Sequence, residues 1–390
     1  MYDSNFSESA LAQFSERYAR IHGRIVFPLT IFGILTSIVT IIVLHRKNFR
    51  TPTNLILQHV AFFDTIVLIS FNIYSFYFYI LHQPNPFVGQ SQFWPRFAIF
   101  HSNIGLTAHT IALWLTGLLA IVSQMNDDIC MSLDVLQIRY AIISKPNQVK
   151  VNSRDVIILI WIIVVIICLL VIPNYFIWSV VLQPAHIYLP HLYPPNSSEM
   201  VYWHSVATGS RLEQIAFAIL AIGFKIFPVV ILIIFGTLLI INIRHARQLR
   251  ERLRRYSAVS STSSLKRELR TTTMLVFITL FTVLVELPQG LFFIASGIQK
   301  DFFYFYAQLG DIWDITSIGS SFITFIMYCS MSQQFRMEIC HLFLPKCLTN
   351  RFQYNTKNLP STNGITLKPR GPVDNTILLL PRTIPPSQDL

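Results

Sequence analysis

Acidic side chains occur in parts of this sequence that are otherwise strongly apolar. Asp64 lies in the middle of one apolar block, Glu286 lies two residues before Pro288 in another, and Asp311 and Asp314 lie near the start of a third. A carboxylate in apolar surroundings is costly unless it faces water, meets an opposite charge or takes up a proton. The chemistry that these residues favour is the binding of a cation, above all a guanidinium group, which pairs with a carboxylate through two hydrogen bonds.

Two interpretations of the acids near the last two apolar blocks are open. Asp311 and Asp314 are three residues apart, so they share one face of a helix and, with Glu286, predict the anionic floor and wall of a cavity for a cationic ligand. Alternatively, the three acids are paired to Lys225, Lys300 or solvent and tie the structure together.

The elements that must position these acids are membrane-spanning helices. The chain of 390 residues is 53% hydrophobic and only 13% charged, whereas soluble domains carry about 25% charge. Apolar blocks of the length that crosses about 30 Å of hydrocarbon occupy residues 25–45, 54–81, 97–121, 155–181, 212–243, 269–297 and 303–331. Open strands cannot satisfy their backbone in lipid, so the sequence predicts an all-α bundle of seven transmembrane helices.

The basic residues predict the orientation of the bundle. With the N terminus outside, 23 of the 30 Lys and Arg residues fall in the inner loops and the C-terminal tail. The densest cluster, from Arg244 to Arg270, lies in a short inner loop, where the excess of basic residues is a dependable guide. The prediction is an extracellular N terminus over residues 1–24, a helical domain over residues 25–345 and a disordered cytoplasmic tail over residues 346–390.

Catalysis and cofactor chemistry find no support in the sequence. The five cysteines show no metal-type spacing, and His101 and His109 have no third candidate metal ligand near them in the sequence. A polar histidine in the third helix is more often a hydrogen-bonding core residue. The seventh block has no lysine for a retinal Schiff base, and inverted repeats of the transporter type are not evident. We expect no enzyme activity, catalytic site, metal, cofactor or nucleic-acid partner, and a multi-pass protein in contact with membrane lipid.

Several motifs in order resemble the rhodopsin-like G-protein-coupled receptors over about residues 25–345. They are Arg50-Thr-Pro-Thr-Asn54 with Ala61 and Asp64, Trp114-Leu-Thr-Gly-Leu-Leu-Ala120, Arg139-Tyr140, Trp161, Pro228, Pro288, and Tyr328 followed by Phe335-Arg336. Within that family the strings Glu286-Leu-Pro-Gln289-Gly290, Leu309-Gly-Asp311-Ile-Trp-Asp314 and Met327 to Arg336 are similar to the nematode myosuppressin-receptor-related neuropeptide receptors.

The resemblance implies a plasma-membrane receptor for an extracellular amidated peptide, of Arg-Phe-amide or myosuppressin type, that signals to an inhibitory-type heterotrimeric G protein. Ligand-binding residues would be Glu286, Gln289, Asp311 and Asp314. Activation and G-protein coupling would involve Asp64, Arg139, Tyr140 and Tyr328. A short amphipathic helix would follow the seventh span, with lipidation at Cys347. A chemosensory receptor for small molecules on the same fold is the alternative.

The sequence also departs from the family pattern. Ile138 replaces the acid that normally precedes Arg139, and Ser37 and Thr324 replace two asparagines that usually accompany Asp64. No cysteine lies in residues 82–103 or 182–211, so the disulfide that usually ties the third helix to the second outer loop cannot form. The missing disulfide predicts a looser outer face, and the two replaced asparagines argue against an allosteric sodium site at Asp64.

Sixteen residues, Val122 to Gln137, separate Ile121 from the Arg139-Tyr140 pair, which in the family follows almost at once. As a helix they would extend about 24 Å and carry Arg139 beyond the membrane. Val-Ser can be encoded by GTA-AGT and Gln by CAG, and with these codons the segment would have the GT start and AG end of a retained intron, whose removal restores the family spacing. The alternatives are an incompletely spliced, non-signalling form and a genuine divergent insert.

The predicted orientation has a direct test in glycosylation. The two Asn-x-Ser sequons, at Asn5 and Asn196, both fall on the predicted outside. We expect the protein from eukaryotic cells to lose apparent mass on glycosidase treatment, and this shift to vanish in the Asn5→Gln/Asn196→Gln variant. Protection of the Asn196 loop from protease added outside intact cells, with cleavage only after permeabilisation, would contradict the orientation.

Overall fold

The fold is known here from a computed structural model, which describes residues 4–81, 91–131, 152–188, 194, 197–206, 219–256, 262–298, 305 and 308–343. In this part of the chain seven helices are long and apolar enough to cross a membrane. The predicted seven-helix fold is confirmed. The spans are Ile21–Leu44, Pro52–Leu81, Phe93–Met125, Ser153–Ile177, Ile219–His245, Arg270–Ala295 and Gly310–Met331.

The helices and strands often run beyond the spans. In chain order they are α1 (Ser4–Leu44), a 3-10 turn (Lys47–Phe49), α2 (Pro52–Ser75), a π-helical segment π1 (Phe76–Leu81), α3 (Phe93–Met131), α4 (Ser153–Ile177), strand β1 (Trp178–Pro184), one helical turn (Ala185–Tyr188), strand β2 (Met200–Val206), a second π-helical segment π2 (Ile219–Ile226), α5 (Phe227–Tyr256), α6 (Thr262–Ile298), α7 (Gly310–Ser321), α8 (Ile323–Met331) and α9 (Gln333–Phe343). We call the end of the bundle that holds Asn54 and Tyr328 the inner end, and the end that holds His22 and Asp311 the outer end.

Two predicted helix ends are wrong. The fourth helix stops at Ile177, and Trp178–Pro184 forms strand β1, paired antiparallel with β2 from Trp178↔Val206 to Pro184↔Met200. The apolar run continues through this strand, so hydropathy alone does not separate the two elements. The third helix continues past Ile121 to Met131, and its residues Val122 and Ser123 are buried in the bundle.

Several other elements extend beyond the predicted blocks. The basic stretch Arg244–Arg255 continues helix α5, and α9 is the predicted short helix after the seventh span. Helix α1 already begins at Ser4, inside the segment predicted to lie outside the membrane. The predicted tail over residues 346–390 lies outside the described residues.

Threonine hydroxyls inside the spans are satisfied within their own helices. Those of Thr40, Thr107, Thr116 and Thr279 donate to the backbone carbonyl four residues earlier, at 2.7–2.9 Å. A hydroxyl in hydrocarbon needs such a partner because no water is available.

Neighbouring spans are tied by pairs of polar side chains. Thr30 and Asn72 link the first two spans at 2.9 Å, Ser70 and His101 link the second and third at 3.0 Å, and Asn103 accepts a 2.6 Å hydrogen bond from Asn174 of the fourth. In lipid such bonds help to fix which helix faces meet. The fourth span exposes an apolar surface, including Trp161 and Phe176, that suits lipid contact.

The inner end is closed by an aromatic group around Phe335 at the start of α9. Phe335 is fully buried, with ring centroids 4.9 Å from Tyr328 and 6.4 Å from Phe49. Arg336 Nη1 donates to the carbonyls of Cys329 and Ser330, which satisfies free carbonyls at the end of α8. The motif Phe335-Arg336 thus fixes the turn from the seventh span into α9.

Candidate functional site

Glu286 lies in α6 and is almost completely buried, with 1% of its side chain exposed. Its carboxylate pairs with Lys225 Nζ at 2.8 Å and with His109 Nε2 at 3.0 Å. These three side chains come from the fifth, third and sixth spans. The sequence left two interpretations open for this acid, an unpaired ligand-binding group and a paired structural group. At Glu286 the geometry agrees with the paired interpretation, because Lys225 neutralises the acid.

A π-helical segment presents Lys225 to this pair. Lys225 belongs to π2, where the backbone is wider than an α-helix and carries an extra residue in its turns. Trp114 Nε1 donates to the carbonyl of Gly223 in the same segment at 3.1 Å, and its ring stacks on Phe227. The tryptophan of α3 therefore satisfies backbone that the irregular segment exposes.

Gln289 extends the network to the seventh span. Its Oε1 accepts a 3.1 Å hydrogen bond from Lys225 Nζ, and its Nε2 donates to Ser317 Oγ at 3.1 Å. Gln289 is buried and lies one helical turn after Glu286. We call His109, Lys225, Glu286 and Gln289 the central network. It joins the third, fifth, sixth and seventh spans.

Asp311 and Asp314 lie apart from the central network, at the outer end of α7. Asp311 Oδ1 accepts a 2.7 Å hydrogen bond from the hydroxyl of Tyr79 in π1, and it lies 4.0 Å from His22 Nε2 in α1. His22 is buried, whereas the side chain of Asp311 is 18% exposed. We call His22, Tyr79, Asp311 and Asp314 the outer cluster.

The outer cluster carries negative charge toward the outer end of the bundle. Burial raises the pKa of Tyr18, which lies one turn before His22, and the charges of Asp311 and Asp314 raise it further. Among the described residues no Lys or Arg forms an ion pair with either aspartate. The acids predicted to bind a ligand therefore differ: Glu286 is paired with Lys225, whereas Asp311 and Asp314 have no Lys or Arg partner in the described part of the chain.

Asp64 and Tyr328 lie where the resemblance placed them, in the second and seventh spans. Asp64 is buried and within hydrogen-bond range of the Ser321 hydroxyl. Ser37 Oγ has no hydrogen-bond partner, so this hydroxyl does not replace the asparagine of the family pattern. The Tyr328 hydroxyl donates to Asn54 Oδ1 at 2.6 Å, which ties the seventh span to the second at the inner end.

Several predicted site residues cannot be placed. Arg139, Tyr140, Asn196, Cys347 and Lys300 lie outside the described residues, as does the side chain of Asn5.

Sequence reasoning missed His22 and Tyr79 altogether. His22 is 289 positions from Asp311, and no spacing rule connects a residue of the first span to one of the seventh. His101 and His109 were predicted to be hydrogen-bonding core residues, and their bonds to Ser70 and Glu286 agree with that prediction. Tyr79 lies in a π-helical segment, so the regular spacing of an α-helix does not predict which way its side chain points.

Comparison with known proteins decides the class. Residues 24–346 match the family described as the serpentine type seven-transmembrane G-protein-coupled chemoreceptors Srw. The chain belongs to this family of G-protein-coupled receptors. Because the family consists of receptors, the prediction of a multi-pass signalling receptor without enzyme activity is confirmed.

Two proteins of Caenorhabditis elegans are similar to this chain over most of their length. The receptor is 29% identical over 391 residues to the G-protein coupled receptor dmsr-1, covering 89% of this chain and 73% of the relative. It is 26% identical over 349 residues to sex peptide receptor-related protein 2, covering 86% and 74%. An extracellular ligand and a G protein are therefore partners of the receptor class to which the chain belongs.

The buried ion pair of the central network generates a prediction about stability. Glu286→Gln leaves the Lys225 ammonium buried without its counter-charge, so we expect a loss of about 3–5 kcal/mol. Lys225→Met combined with Glu286→Gln removes both charges and should recover most of that loss. Thermal unfolding of detergent-purified receptor measures both effects.

The control for this experiment is Glu338→Gln. It breaks the 2.8 Å pair with Arg46, whose side chain is 42% exposed, so its effect should stay within about 1 kcal/mol. Equal losses in the single and double variants of the central network would show that Lys225 is not the partner that matters.

The segment Val122–Gln137 generates a second prediction. Its deletion brings Ile138, Arg139 and Tyr140 directly after Ile121, at the inner end of the third span, where Arg139 can meet the G protein. We expect an equal or higher surface level and stronger agonist-stimulated nucleotide exchange on the G protein.

The gain should vanish when the deletion is combined with Arg139→Ala, because it is expected to come from the contact of that arginine with the G protein. Val122 and Ser123 are buried in the full-length chain, so folding of both forms is checked first by thermal unfolding. Signalling by the full-length chain that matches the deletion form would show that the segment is a genuine part of the receptor.

Proposed function

We propose that this receptor binds an extracellular amidated peptide with a cationic side chain, of the Arg-Phe-amide or myosuppressin-like class, and signals to an inhibitory-type G protein. The observation that carries the proposal is the outer cluster, where two carboxylates lie without a Lys or Arg partner among the described residues. A ligand guanidinium supplies the charge that they lack, with two hydrogen bonds to one carboxylate.

In this proposal Glu286 and Gln289 act indirectly, through the central network. Lys225 neutralises Glu286, so the acid does not meet the ligand charge directly. Gln289 joins Lys225 to Ser317, which lies one helical turn after Asp314 on the same face of α7. A ligand that binds Asp314 thus acts on the helix to which the central network is hydrogen-bonded.

The relatives add support for a peptide ligand. One relative is named as related to a receptor for sex peptide, and peptides are the ligand class that the sequence resemblance implied. Trp313, whose ring lies 5.6 Å from that of Phe292 at the outer end, offers an aromatic surface for a terminal phenylalanine amide. Asp64, Arg139, Tyr140 and Tyr328 keep their proposed roles in activation and G-protein coupling, and Cys347 its proposed lipidation.

Peptide potency tests the proposal. Asp311→Asn and Asp314→Asn should each weaken an Arg-Phe-amide peptide by about 1–3 kcal/mol for every charged hydrogen bond lost. Asp155→Asn, an exposed acid at the start of α4, is the matched control and should leave potency unchanged. G-protein activation across a peptide concentration series measures the effect.

The same peptide with citrulline in place of arginine separates charge from shape. It should be weak on the unmodified receptor and lose little more on either aspartate variant, because the pair is then already broken. Full potency of the arginine peptide on both variants, at normal surface levels, would refute the anionic site.

A small-molecule ligand is the second candidate, and the description of the family as chemoreceptors favours it. A panel of small metabolites tested beside the peptides distinguishes the two. Activation by a small molecule, with no response to any amidated peptide, would replace the peptide proposal.

A further inference from the structure

The ligand atoms offered by His22, Asp311 and Asp314 lie within 4.8 Å of one another. One nitrogen and two carboxylate oxygens are a donor set that zinc accepts, at about 2.0–2.2 Å from the ion. Ligands at that distance in a tetrahedron lie about 3.3–3.6 Å apart. Small rotations of the two aspartate side chains close the remaining gap.

His22 gives an independent sign that a ligand belongs here. The residue is 1% exposed, and its Nδ1 has no hydrogen-bond partner. Its Nε2 faces Asp311 Oδ1 at 4.0 Å, beyond hydrogen-bond distance. Buried polar atoms are normally satisfied, so the imidazole keeps an unmet capacity for a ligand at Nδ1, while its Nε2 is close enough to Asp311 for an ion to bridge the two.

Tyr79 orients the acid for such a partner. Its hydroxyl donates at 2.7 Å to Asp311 Oδ1, the oxygen that lies 4.0 Å from His22 Nε2, and so fixes the carboxylate beside the imidazole. Hydrogen bonds of this kind to a metal-binding carboxylate are typical of metal sites, where they set the direction of the ligand. The tyrosine ring also packs against His22, with centroids 5.0 Å apart, and so restrains the imidazole.

We propose that His22, Asp311 and Asp314 form a zinc site that joins the first and seventh spans at the outer end of the receptor. The imidazole nitrogen favours zinc over magnesium and calcium, which prefer oxygen ligands and higher coordination numbers. Three protein ligands leave one position for water. The site stands independently of the peptide proposal, because it needs only the receptor and the ion.

The site also has a consequence for ligand binding. Zinc occupies the carboxylates that the proposed function assigns to a ligand guanidinium, so the ion and a cationic ligand compete. Zinc would then act as an antagonist whose effect a higher ligand concentration overcomes. This consequence rests on the proposed function, whereas the zinc site itself does not.

Zinc binding is tested on purified full-length receptor without a polyhistidine tag. Zinc chloride in the micromolar range should raise the unfolding temperature by about 5 °C in a saturable manner, since a ligand of the folded state alone stabilises it. Magnesium chloride at the same concentration should give no rise. Elemental analysis after gel filtration should find about one zinc per receptor.

Variants assign the effect to the three residues. His22→Gln and Asp314→Asn should each abolish the rise and the bound zinc, whereas His22→Cys should keep both because a thiolate is a zinc ligand. His59→Gln is the control, since His59 bonds to the Leu55 carbonyl of its own helix, and it should respond as the unmodified receptor does.

The unfolding temperature of each variant without zinc shows first whether it folds. If His22→Gln does not fold, the pair of Asp314→Asn and His22→Cys carries the test. Absence of a rise and of bound zinc in the unmodified receptor overturns the proposal. So does a rise that persists in both His22→Gln and Asp314→Asn, because the ion then binds elsewhere. Zinc binding without any effect on peptide potency leaves the site intact and counts against the peptide proposal alone.

Discussion

A carboxylate in the middle of a membrane protein must be neutralised, and the arrangement of four spans follows from how this is done for Glu286. The acid is buried in the sixth span, and its two partners, Lys225 and His109, come from the fifth and third. Gln289 accepts a further hydrogen bond from Lys225 and donates to Ser317 of the seventh. A rotation of the third, fifth or sixth helix would break a bond to the charged pair in a medium without water, which is far costlier than the loss of an apolar contact. A rotation of the seventh would break the hydrogen bond between Gln289 and Ser317.

Both π-helical segments place a polar side chain in one of the two sites. Lys225 lies in π2 and reaches the central network, and Tyr79 lies in π1 and reaches Asp311. Such segments expose backbone groups, and non-helical backbone is tolerated at membrane depth only where other groups satisfy it. Trp114 does this for π2 through its hydrogen bond to the Gly223 carbonyl. The irregular backbone and the functional side chains are therefore parts of one arrangement.

Hydropathy predicted the seven spans because hydrocarbon thickness sets the length of each apolar block. It missed β1, where the apolar run of the fourth span continues into a strand, and it ended α3 too early because Val122 is still buried. The acids of the candidate site were identifiable from the sequence, since each is costly in its block. Their partners were not, because pairing depends on how helices distant in the chain face each other. Lys225 was named only as one alternative, and His22 had no signal at all.

Under the proposed function, the difference between the two acidic groups determines where a cationic ligand acts first. Glu286 already has its counter-charge, so its energy is lowest with the bundle as it stands. Within the described part of the chain, Asp311 is bonded to a tyrosine hydroxyl and has a histidine 4.0 Å away, and no Lys or Arg pairs with Asp311 or Asp314, so the proposed cationic ligand would meet carboxylates without a counter-charge. Asp314 and Ser317 lie one turn apart on the same face of a regular helix. A shift of α7 that improves the proposed ligand bond at Asp314 therefore also moves Ser317, and with it the hydrogen bond from Gln289. Because Gln289 also accepts a hydrogen bond from Lys225, the shift is passed on to the lysine that neutralises Glu286.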